Sequence, residues 1–196
     1  TILFVLPLVA YLFFASGINN FAQLPVLNKD VININTFSEK KFDDKISILI
    51  FLGNNIKNKK GDILNLNQKI YKRFYKFNDF QFIALGPKEI NMQVESLVDQ
   101  LRTGTDTEMT KWFFLLQDSK HSKNIFDSLG TDLNLDEFGG SPYVFIIDKK
   151  GFLRGRNDSD GIKFGYDMRS VAELNNYMVD DVKIILAEYR LALKKN

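Results

Sequence analysis

The first stretch of the chain, Ile2 to Ile18 (ILFVLPLVAYLFFASGI), has apolar positions on every side and no charge. At about 1.5 Å per residue a helix of this length reaches about 25 Å, close to a hydrocarbon core of about 30 Å. Phe21 and Ala22 extend it, and Pro7 is tolerated in a membrane helix. The pattern predicts an uncleaved anchor. A secretory signal with small residues Ala15-Ser16-Gly17 near its cleavage point is the other reading. The next part, to Asn35, is polar, rich in Asn and contains Pro25. The expected division is an anchor at 1–22, a linker at 23–35 and a domain at 36–196.

The pattern then changes to alternating short apolar runs and helical stripes. Ile46 to Leu52 (ISILIFL) reads as a strand covered on both faces. Asp62 suits an N-cap, and Ile63, Leu66, Ile70, Phe74 and Phe77 follow at helical spacing. Lys69, Lys72, Arg73 and Lys76 give that helix a basic face. Phe80 to Leu85 is the next strand. Glu89 to Arg102 is an amphipathic helix carrying Val94, Leu97, Val98 and Leu101, with Gly104 just beyond. Trp112 to Leu116 is a third strand. Ser119 caps a short helix with Ile125, Phe126 and Leu129, closed by Gly130. Tyr143 to Ile147, a turn at Asp148 to Gly151, and Phe152 to Arg156 form a hairpin. Ser170 and Glu173 have capping-box spacing. The last helix, to about Leu193, buries Val171, Leu174, Met178, Val182, Ile185, Leu186 and Tyr189.

The resulting order, β-α-β-α-β-α-β-β-α, requires parallel pairing in the first half and antiparallel pairing in the late hairpin. The fold class is α/β: a mixed sheet flanked by helices, in the order of the thioredoxin fold with an extra strand and helix inserted.

Composition narrows the chemistry. The chain has 196 residues and no cysteine, which excludes thiol nucleophiles, disulfides, iron–sulfur clusters and cysteine-ligated zinc. Lys plus Arg is 26 against 24 for Asp plus Glu, so no basic excess points to nucleic acid. The single histidine, His121, stands beside Lys120 and Lys123 and reads as a solvated surface residue. Asn157-Asp158-Ser159-Asp160-Gly161 begins like a calcium loop, but position twelve from Asp158 is Arg169, so a polar turn is the better reading. The methionines (Met92, Met109, Met168, Met178) do not cluster in sequence. No loop has a phosphate-cradling Gly-Lys-Ser/Thr ending.

In an open α/β sheet, sites form beyond the carboxyl ends of the strands. Two segments fall there: Gly53 to Asp62, with Asn54, Asn55, Lys57, Lys59 and Lys60, and Gly139-Gly140-Ser141-Pro142 before the strand at Tyr143. A proline in that position often marks a tight turn with a cis bond. The basic loop is suited to anionic headgroups or an acidic partner.

A strand ending in Phe51-Leu52-Gly53, a helix, and later Ser141-Pro142, a strand and Asp148-Lys149-Lys150-Gly151 resemble the thioredoxin superfamily over roughly Thr36 to Lys194. The branch this is most similar to is Sco/SenC, membrane-anchored periplasmic proteins of cytochrome oxidase assembly. The resemblance implies two cysteines separated by three residues, at positions matching Lys57 and Gly61, and a copper-binding histidine at about Gly140. None of the three is present. The expectation is therefore a non-enzymatic protein with no cofactor and no resident metal. It would be single-pass in a bacterial inner membrane, with its domain in the periplasm, and act as an accessory subunit or assembly factor of a membrane complex, for which the resemblance implies a respiratory one. Its candidate contact surface is Asn54, Asn55, Lys57, Lys59, Lys60, Gly140, Ser141 and Pro142. Its partners would be the subunits of that complex and the bilayer. A biogenesis factor that binds metal or client through a non-cysteine site is the alternative.

Overall fold

The computed structural model describes residues 23–36, 38–159 and 161–194. The expected anchor at 1–22 lies outside them, and among the described residues no helix is long and apolar enough to cross a membrane.

Three parallel strands form the middle of the sheet: β2 (Ile46–Phe51), β3 (Phe80–Pro87) and β4 (Trp112–Gln117). They pair with Ile46 opposite Phe80 and Phe82 opposite Trp112. On the other side of β2 the sheet turns antiparallel through β5 (Tyr143–Ile147) and β6 (Leu153–Arg154) to the edge strand β1 (Val26–Asn28), giving the order β1-β6-β5-β2-β3-β4. The hairpin of β7 (Arg156–Asp158) and β8 (Gly161–Lys163) stands apart. The short β9 (Tyr166–Asp167) pairs with the start of β5. The mixed α/β sheet expected from the sequence is present.

Alternation along the strands divides the core. Ile46, Ile48, Ile50, Phe82, Val144 and Ile146 point to one face. There helix α1 (Ile56–Leu66), helix α2 (Asn91–Thr105) and helix α4 (Val179–Lys194) cover them. Leu49, Phe51, Ile83, Phe145 and Ile147 point to the other, against helix α3 (Ser119–Ser128) and the early residues Ile34 and Phe42. Burial on both sides explains why these strands read as continuous apolar runs rather than alternating ones.

Several boundaries differ from the sequence expectation. The 23–35 segment is not a detached linker. Leu24 and Ile34 are buried, and β1 pairs with β6. Helix α1 begins at Ile56, six residues before Asp62, because its inward stripe is Ile56, Lys59, Ile63 and Leu66; a lysine in that stripe hides the periodicity. The helix continues through a π-helical stretch, Asn67–Tyr71, to a last turn at Lys72–Phe74. The wider turn brings Asn67, Ile70 and Tyr71 inward together. There the Asn67 side-chain amide donates to the Leu101 carbonyl and to Thr105 Oγ1, both at 3.1 Å, and its oxygen accepts from Trp112 Nε1 at 3.0 Å.

Gly104 lies inside α2, which instead ends on Asp106 in the left-handed conformation, φ 51°. Asp118, not Ser119, caps α3, accepting from the Lys120 N–H at 2.8 Å. At the last helical segment Ser170 Oγ accepts from the Glu173 N–H, but the Glu173 carboxylate accepts from the Asp167 N–H, so half of the capping box forms. Val171 and Phe77, expected in buried stripes, are 38% and 46% exposed.

Candidate functional site

Strand β2 ends at the carboxyl edge of the sheet, where Leu52 forms a single bridge to Gly140. The approach is close enough to demand glycine on both sides. A Cβ at Gly53 (φ +66°) would lie 2.6 Å from the Phe138 carbonyl oxygen and the Gly140 nitrogen, and one at Gly140 would lie 2.7 Å from the Leu52 carbonyl oxygen. The Asn54 N–H donates to the Phe138 carbonyl at 2.9 Å. The 53–55 loop and the 136–140 loop are therefore stitched together backbone to backbone.

Helix α1 starts from this seam. Asn55 is its N-cap residue, without a side-chain cap. Lys57, Lys60 and Gly61 are exposed. Lys59 turns inward and is 8% exposed. Its ammonium forms an ion pair with Asp136 and lies where a Cβ at Gly140 would come within 2.5 Å. Asp136 is fully engaged: Oδ2 takes Lys59, while Oδ1 accepts from the N–H groups of Phe138 at 2.9 Å and Gly140 at 2.8 Å. Partial burial pushes its carboxyl up, but the Lys59 bond and the two backbone N–H bonds outweigh this and hold it below its ordinary value.

The remaining expected residues divide into two groups. Asn54, Lys59 and Gly140 meet at the seam. Ser141 is buried beside it, donating its N–H to Phe51 and accepting from the Tyr143 N–H at 3.0 Å. Pro142 follows with a trans bond. Lys57 and Lys60 instead face outward and line a separate groove of about 310 Å³ between α1 and α2, beside the exposed Met92. A larger cleft of about 710 Å³ adjoins the seam, with Asn54, Pro87, Lys120, Glu137 and Phe138 in its walls.

Asp136 is the residue that the sequence reading missed. The Asp136-Glu137-Phe138-Gly139-Gly140 string has the form of a turn organised by an Asp side chain, and that signal was available. Elsewhere, His121 is exposed in the first turn of α3. Met168 and Met178 are buried in the core and Met92 is 82% exposed. Asp158 pairs with Gly161 across the β7–β8 turn, so the calcium-like string is a hairpin. Among the described residues no three His, Asp or Glu side chains group as a metal site.

No family model and no curated protein matches the chain. Solved structures do. BsSco, described as a member of the Sco family of cytochrome c oxidase assembly proteins, aligns with a TM-score of 0.52 at 13% identity, over 83% of this chain and 98% of that one. A putative electron transfer protein from Aquifex aeolicus gives 0.49 at 13% identity, over 84% and 98%. A SCO1/SenC family lipoprotein from Bacillus anthracis gives 0.45 at 13%, over 79% and 98%. At such identity the likeness speaks to the fold. The chain has the thioredoxin-like fold seen in BsSco, on a sequence that contains no cysteine.

Proposed function

We propose that this is a membrane-anchored, redox-inactive relative of the Sco-type thioredoxin-fold proteins that serves a membrane complex as an accessory subunit or assembly factor. The observation that carries the reading is the seam at the carboxyl edge of the sheet. Thiol exchange needs thiolates, and between the two positions where the resemblance calls for them stands Lys59, turned inward onto Asp136. Lys57 and Gly61, the positions matched to the thiols, are exposed on either side of Lys59, and a glycine, Gly140, stands where the resemblance places the histidine.

The pair is self-contained. The charges of Lys59 and Asp136 satisfy each other, and the Asp136 carboxylate also anchors the loop that would otherwise carry a ligand. This turns a reactive edge into a rigid scaffold, on which surface loops are available for protein contacts. The uncharged Ile2 to Ile18 stretch supports the anchor, and the resemblance supports a periplasmic domain and a respiratory host.

The test is purification of a tagged full-length chain from its native membrane in mild detergent, followed by mass spectrometry. Stoichiometric co-purification of integral membrane subunits is expected. Recovery of the chain alone as a monomer would overturn the reading.

A further inference from the structure

The end of the domain opposite the seam carries its own cluster. After α1 the chain turns at 77–79, and three lysines hold that turn. Lys111 donates to the Phe77 carbonyl at 2.5 Å, Lys45 to the Asn78 carbonyl at 3.1 Å, and Lys149 to the Asp79 carboxylate at 2.5 Å. Lys149 and Lys45 thus pair with one carboxylate, at 2.5 and 3.9 Å, and Lys111 holds the turn beside them. Consistently, the Lys111 ammonium is pushed down, by burial first and by the charge of Lys45 second. The other carboxylates nearby are partly committed: Glu188 pairs with Arg154 at 2.6 Å, and Asp44 lies 3.9 Å from Lys41. Phe77, in the same turn, is 46% exposed. A pocket of about 180 Å³ opens beside it, walled by Ile46, Leu186, Tyr189 and Arg190.

The first described residues also reach toward this end, running to it along β1. The Leu24 carbonyl accepts from Arg154 Nε at 2.7 Å, and Arg154 binds Asp148, the neighbour of Lys149, at 2.8 Å. The uncharged Ile2 to Ile18 stretch precedes Leu24 by only a few residues in sequence. A half-exposed aromatic ring among cations has the chemistry of a surface that meets anionic headgroups.

We propose that this end, Phe77 with Lys45, Lys76, Lys111, Lys149 and Arg190 around it, rests on the anionic headgroups of the bilayer that holds the N-terminal segment. The proposal rests on the anchor reading above, and it sets the orientation of the domain. The seam with Lys59 and Asp136, at the far end of the strands, faces away from the membrane toward whatever stands above it.

The test uses the full-length chain in vesicles of phosphatidylcholine, with or without phosphatidylglycerol. Because the chain has no cysteine, Asn78→Cys and, at the far end, Glu137→Cys each accept one polarity-sensitive label. The label on position 78 is expected to shift to the blue and to be quenched by brominated lipid when phosphatidylglycerol is present, and to remain in water in phosphatidylcholine alone. The label on position 137 stays in water in both. Lys76→Gln and Arg190→Gln, both at exposed positions, should each weaken the docked state roughly fivefold. A chain that floats with both vesicle types while position 78 stays wet overturns the docking and leaves the anchor standing. A chain that floats only with phosphatidylglycerol and is released by salt supports the docking and overturns the anchor. Flotation with neither overturns both. Burial of position 78 in native membranes but not in pure lipid assigns the surface to a protein and overturns the lipid proposal.

Discussion

Removing either half of the Lys59–Asp136 pair should have unequal effects, and the inequality follows from exposure. The Lys59 side chain is 10% exposed and that of Asp136 33%. In Asp136→Ala the ammonium stays behind, nearly enclosed and without its carboxylate. It also sits in the first turn of α1, where the helix dipole disfavours a cation by about 0.3–1 kcal/mol. Breaking a fully buried pair from one side costs about 3–5 kcal/mol. Solvent at Asp136 reduces that, so about 2–3 kcal/mol is expected once the lost N–H bonds of Phe138 and Gly140 are included. In Lys59→Met the carboxylate keeps both N–H bonds and has water access, and the buried ammonium is replaced by a side chain of similar length, so a change within about 1 kcal/mol is expected. The double variant should recover about 1–2 kcal/mol relative to Asp136→Ala alone. Urea unfolding in mild detergent measures this as a shift of midpoint at constant slope. In a thermal scan the Asp136→Ala loss corresponds to about 4–12 °C. Equal losses in the two single variants, or a larger loss for Lys59→Met, would refute the reasoning.

Three further outcomes follow from the same structure. The Asp136 carboxyl is held low in the folded state, so its contribution is complete above the ordinary carboxylate value of 3.8 and is lost as pH falls through the lower folded value; the stability of wild type should drop more steeply in that acid window than that of Asp136→Asn, and parallel curves would refute the assignment. Arg154 is 4% exposed and serves Asp148, itself 1% exposed, together with Glu188 and the Leu24 carbonyl, so Arg154→Met should lower stability by about 3–5 kcal/mol in denaturant titration, and a loss below about 1 kcal/mol would contradict an isolated Asp148 charge. Asn67→Ala leaves the buried Trp112 indole N–H and the Thr105 hydroxyl short of a partner, which should remove about 1–3 kcal/mol; since Trp112 is the single tryptophan, its emission reports the change directly, and an unaltered spectrum with unaltered stability would count against it.

The site was only partly readable in the residues, and the reasons are local. The lysine run at 57–60 announces a basic loop, but not that Lys59 alone turns inward. That depends on the phase of α1, and a lysine in the buried stripe conceals the phase. The same concealment moved the expected helix start to Asp62. Asp136 lies 77 residues from its partner, and no local pattern joins them. The edge strand at Val26 to Asn28 was unreadable for another reason: its pairing with β6 uses backbone groups, which any polar segment can supply.

The sequence by itself determined the α/β class and the succession of the main strands and helices, because apolar runs of strand length separated by amphipathic stripes permit few α/β arrangements. It also determined what chemistry is closed to the protein, because a thiol that is not in the chain cannot be supplied by folding. Only the tertiary structure decided what replaced that chemistry. Folding set an ammonium and a carboxylate against each other at the carboxyl edge, and gathered lysines from just before β2, just before β4 and the β5–β6 turn onto the 77–79 turn at the other. Both are meetings of residues distant in the chain, set by strand register and helix phase.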